Sequence, residues 1–71
     1  MTGRREYRFT GLAVAAKFKQ EIAWGAPYTH AVPVSVVAVS TEEAERKAIR
    51  LLGDPPRHDV WRFRWTDCAR A

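Results

Sequence analysis

Between Ser40 and the Pro55-Pro56 pair, the sequence specifies one helix with both ends marked. Ser40 is a good N-cap, and Glu43 three residues later completes a capping box. Glu42, Glu43 and Glu45 fall in the first turn and Arg50 near the end, which complements the helix dipole. Glu42 with Arg46 and Glu43 with Lys47 are i, i+4 pairs in the favourable order. Ala44, Ala48, Leu51 and Leu52, with Ile49, form an apolar stripe. Gly53 suits the position after the last turn, and the prolines forbid continuation. The pattern predicts a helix over 41–52, and its charges read as a solvated face.

Strand patterns bracket this helix. Val34 to Val39 carries valine on both parities, so it reads as a central strand buried on two faces, with Pro33 at its start. From Val60 to about Thr66 the alternation is strict. Trp61, Phe63 and Trp65 share one face; Val60, Arg62, Arg64 and Thr66 share the other. Residues 54–59 connect helix to strand. Tyr7 and Phe9 alternate with Arg8 and Thr10, which also suggests a strand. Residues 12–24 fit two periods. Leu12, Val14, Ala16, Phe18, Ile22 and Trp24 fall on one parity, favouring one or two strands. Val14, Phe18 and Ile22 are also four apart, as in a helix. The strand reading is preferred, with 25–29 as a hairpin loop. The expected fold class is α+β: a small, largely antiparallel sheet of three or four strands with one main helix at about 41–52.

Seventy-one residues make a single small domain, 1–71. No apolar run approaches the roughly 18 residues of a membrane helix. The arginines at the N-terminus are not followed by an apolar stretch, so no secretory signal is visible. The expected location is therefore cytoplasmic, without a membrane partner. Eleven residues are alanine, so three tryptophans, three phenylalanines and two tyrosines are expected to supply most of the core. A core this small supports only a few kcal/mol, which favours self-association, with a homodimer as one outcome.

The net charge is +4, and the first twenty residues concentrate the excess in Arg4, Arg5, Arg8, Lys17 and Lys19. Nine arginines against three lysines, with no asparagine, also match the codon usage of a GC-rich genome. Two stretches, Tyr7-Arg8-Phe9-Thr10-Gly11 and the run from Val36 through Ser40 to Ala48, resemble the small accessory proteins of phages that infect GC-rich actinobacteria. The resemblance covers about half the chain. It implies a role in binding host proteins or nucleic acid, and it carries over no site residue.

Catalytic patterns are missing from the sequence. Cys68 has no nucleophile motif around it and reads as a bystander. His30, His58, Asp54 and Asp59 lack the paired spacing of zinc ligands. Glycines 3, 11, 25 and 53 are too far apart for a phosphate loop. The chain is therefore expected to be no enzyme, with no cofactor and no metal. Two binding surfaces remain. Trp24 and Tyr28, beside a Gly-Pro loop, are the apolar residues one helix should leave uncovered, and they suit a protein contact. Arg8, Arg62 and Arg64 should gather on the sheet face away from the helix, where they suit phosphate oxygens. A non-catalytic protein-binding role is the leading expectation, and a nucleic-acid module of low sequence specificity is the alternative.

Overall fold

The structure, a computed structural model, describes residues 5–25 and 30–71. Strand β1 spans Tyr7–Ala16, β2 Val32–Ala38 and β3 Val60–Arg70, and helix α1 spans Thr41–Leu52. A short 3-10 turn, Pro56–His58, leads into β3. The strands form one antiparallel sheet in the order β2-β1-β3. This is the α+β fold with one main helix that the hydrophobic periods indicated.

The helix ends as its sequence dictates. Ser40 is extended, and its hydroxyl oxygen accepts from the Glu43 N–H at 3.2 Å. Gly53 takes φ 80°, and its N–H reaches the Ile49 carbonyl at 2.8 Å. Lys47 lies 3.2 Å from Glu43 and holds that carboxyl below its ordinary pKa, chiefly through their hydrogen bond. Glu42 and Arg46, the matching pair, form no ion pair. Ser40→Ala should destabilise the domain by about 1 kcal/mol, read as a lower denaturation midpoint.

Four expectations need correction. First, β2 is an edge strand and β1 is central. Pro33 carried that information, because proline inside a strand belongs to an edge. Second, residues 17–24 extend neither as a strand nor as a helix. β1 and β2 pair as a hairpin, but the connection is the long segment 17–31. Third, β3 continues past Thr66 to Arg70, so Cys68 lies within a strand opposite Phe9.

Fourth, the core is built mainly from alanine and valine and not from the aromatic rings. Its buried hydrophobics are Phe9, Val14, Val34 and Val36 with Ala13, Ala16, Ala38, Ala44 and Ala48. Phe9 is the one aromatic among them. Tyr7, Phe63 and Trp65 are only half-buried around this cluster. Leu51 is 72% exposed and Leu52 only half-buried, so the fully buried stripe of the helix is Ala44 and Ala48. Alanine lets α1 sit close, and it packs chiefly on β2 and Phe9. It is offset from β3, so Phe63 and Trp65 are covered only in part, while Trp61 reaches the end of α1.

Register changes once along β1–β3. Gly11 pairs with Trp65 but Thr10 pairs with Asp67, so Thr66 is an extra residue in a bulge. The Thr66 hydroxyl donates to the Thr10 carbonyl at 3.1 Å.

Candidate protein-binding surface

Antiparallel ladders alternate. Every second residue turns its N–H and C=O into the pair, and the others turn theirs away. Two contacts fix the parity here. The Thr10 carbonyl faces β3, because it accepts from Thr66. The Val37 carbonyl faces away from β1, because Lys47 Nζ donates to it at 2.6 Å. With the observed register, the odd residues of β1 bond to β2 and the even ones to β3. The outward residues of β2 are then Pro33, Ser35 and Val37. Those of β3 are Trp61, Phe63 and Trp65, and beyond the bulge Cys68 and Arg70.

The two edges differ in kind. On β2, Pro33 has no N–H and the Val37 carbonyl is taken by Lys47, so only Ser35 offers a full pair of groups. Proline and lysine are standard guards against strand addition. On β3, the stretch from Val60 to Trp65 holds no proline, and among the described residues no side chain bonds its outward backbone groups. Among the described residues, no backbone bond reaches its outer edge.

The same three residues carry the aromatic row. Trp61, Phe63 and Trp65 lie on the helix side of the sheet, level with Ala15, Ala13 and Gly11. Phe63 and Trp65 stack at 5.5 Å with planes 1° apart, and Trp65 meets Phe9 edge-on at 5.8 Å. Trp61 Nε1 donates to the Gly53 carbonyl at 2.8 Å, tying β3 to the end of α1. All three rings are half-buried, and those of Phe63 and Trp65 pack against the core cluster.

The other sheet face carries the arginines, as the alternation indicated, but it does not cluster them. Arg62 is half-buried, and its guanidinium donates to the Gln20 carbonyl at 3.0 Å. It anchors the 17–25 segment beneath the sheet, where Val14 and Ala16 are covered. Lys17, 4.0 Å from Asp59, helps hold the same segment. Arg8 and Arg64 are exposed, opposite Ala69 and Leu12. Four residues along β1 and one strand across put them about 14 Å apart. Asp67, level with Thr10, lies between them.

Trp24 is half-buried in a turn, and Tyr28 lies outside the described residues. Among the described residues, the large apolar side chains left most open are Phe18, at 75%, and Leu51. A cleft of about 280 Å³ between β1 and the 17–25 segment is lined by Val14, Ala16, Gln20, Glu21, Ile22 and His30. Glu21 and His30 share no hydrogen bond or ion pair there. Among the described residues, no three His, Cys, Asp or Glu side chains stand close enough to hold a metal ion. None of the described helices is long and apolar enough to cross a membrane.

Sequence reasoning overlooked the backbone of β3. The alternation at Val60–Thr66 revealed which rings share a face, but not that the strand would be an edge. Comparison with protein-family models, curated proteins and solved structures finds no match to this chain.

Proposed function

We propose that this chain is a non-catalytic protein-binding domain that engages its partner through the outer edge of β3. The observation that carries the reading is the coincidence of two features on Trp61, Phe63 and Trp65. They present half-open aromatic rings and, on the same strand, unpaired backbone groups. An added strand would satisfy those groups and cover those rings together. Tryptophan is among the residues that most often dominate binding energy at protein contacts. The small core supports the same reading, since a partner would supply the apolar cover that α1 does not extend to β3. Self-association through this edge belongs to the same class of contact.

Nucleic-acid binding has less support. Arg8 and Arg64 stand about 14 Å apart, and Asp67 interrupts the path between them. A phosphate backbone is held by several cations at close spacing.

Affinity capture from the native host's lysate, after nuclease treatment, tests the proposal. The unmodified chain should retain a partner that the Phe63→Lys variant loses, with circular dichroism confirming that the variant is folded. Retention by both proteins would contradict the edge reading. Nuclease-sensitive recovery, with a gel shift of random duplex at low salt, would favour the alternative.

A further inference from the structure

We infer that the segment recognised by β3 is an extended strand in which acidic residues alternate with apolar ones. The inference rests on the proposal that β3 is the contact edge, and it goes on to name the chemistry of the occupant. A strand added to β3 places alternate side chains on opposite sheet faces. One set meets the row of Trp61, Phe63 and Trp65, which calls for apolar groups. The other set meets Arg62 and Arg64. Arg64 is exposed, and Arg62 spends one donor on Gln20 and keeps others. Carboxylates suit those guanidinium groups through charge-assisted, often bidentate hydrogen bonds.

Two features set the length. Asp59 precedes the arginine pair and Asp67 follows it, and the bulge at Thr66 breaks the ladder before Asp67. Pairing along Trp61 to Trp65 spans about 13 Å, which is about five residues of the partner. A second copy of this chain fits the aromatic row but not the other face. Two-fold antiparallel pairing centred on Phe63 sets Arg62 of each copy opposite Arg64 of the other, and like charges directly opposite are unfavourable. The β2 edge offers no rival, being guarded by Pro33 and Lys47.

The test uses the full chain and three fluorescein-labelled, end-capped heptapeptides. One alternates valine with glutamate and one alternates valine with lysine. The third repeats the acidic sequence with N-methyl groups along one edge. Fluorescence anisotropy at low ionic strength should show saturable binding of the acidic peptide. The lysine peptide should bind at least about tenfold more weakly, because mismatched charge opposes docking. N-methylation should abolish binding, and salt should weaken it. Arg64→Glu should erase most of the preference between the two unmethylated peptides, because Arg62 is then offset by the new carboxylate.

Equal affinity for both peptides, an unchanged preference in Arg64→Glu, or binding that survives N-methylation would overturn the inference. So would a dimer in sedimentation that Phe63→Lys abolishes, since the occupant would then be a second copy. If neither peptide binds while lysate capture still depends on Phe63, the alternating-charge inference fails and the edge reading stands. If capture ignores Phe63→Lys, the edge reading itself fails.

Discussion

Replacing Gly11 with alanine should remove much of this domain's stability. A Cβ at that position would lie 2.2 Å from the Arg64 carbonyl oxygen and 2.8 Å from the Trp65 Cα. Both atoms are backbone, so no side chain can swing aside. Relief would require β1 and β3 to separate at the bulge, where their register already shifts. Overpacking of this kind costs about 3 kcal/mol. A chain of 71 residues has roughly 4–10 kcal/mol in total. Chemical denaturation followed by tryptophan fluorescence should show a sharply lowered midpoint. A midpoint close to that of the unmodified protein would mean that β1 and β3 are not in contact at this register. Gly11 is needed for close approach, not for an unusual φ.

Phe9→Ala should be about as damaging, at roughly 3–5 kcal/mol. Among the described residues Phe9 is the one aromatic side chain in the buried core, 5% exposed among valines and alanines, and it also supports Trp65 edge-on. Phe18→Ala and Leu51→Ala make the informative contrast. Both remove a comparable side chain, yet those residues are 75% and 72% exposed, so each change should stay within about 0.5 kcal/mol. The same denaturation series decides it. If Phe18→Ala cost as much as Phe9→Ala, the core would have to include the 17–25 segment as a tightly packed element.

Local chemistry was legible from sequence, and lateral placement was not. The helix could be read because its caps, charge order and stop signals are all encoded within residues 40–56. The β3 alternation was equally plain, and it assigned Trp61, Phe63 and Trp65 correctly to the helix side. Strand order depends on long-range pairing, which no local pattern encodes. Valines on both parities of β2 suggested a central strand, yet Pro33 and the reach of Lys47 make it a guarded edge. Core size was misjudged for a related reason. The rings looked like core because of their size, but α1 buries Ala44 and Ala48 against β2 and Phe9 and stops short of covering β3. Arg62 illustrates the limit for sites. Its parity was right, but its partner, the Gln20 carbonyl, lies 42 residues away in sequence.

The proposed contact depends most on β3 being an open edge whose outward groups belong to its aromatic row. Residue-resolved amide hydrogen exchange of the free protein tests this directly. Arg62 and Arg64, whose N–H groups turn into the ladder with β1, should exchange slowly. Trp61, Phe63 and Trp65, whose N–H groups turn outward, should exchange quickly, giving an alternating profile along one strand. Slow exchange at all five positions in dilute protein would rule out an open β3 edge, because the edge proposed for a partner would already be covered by the chain itself.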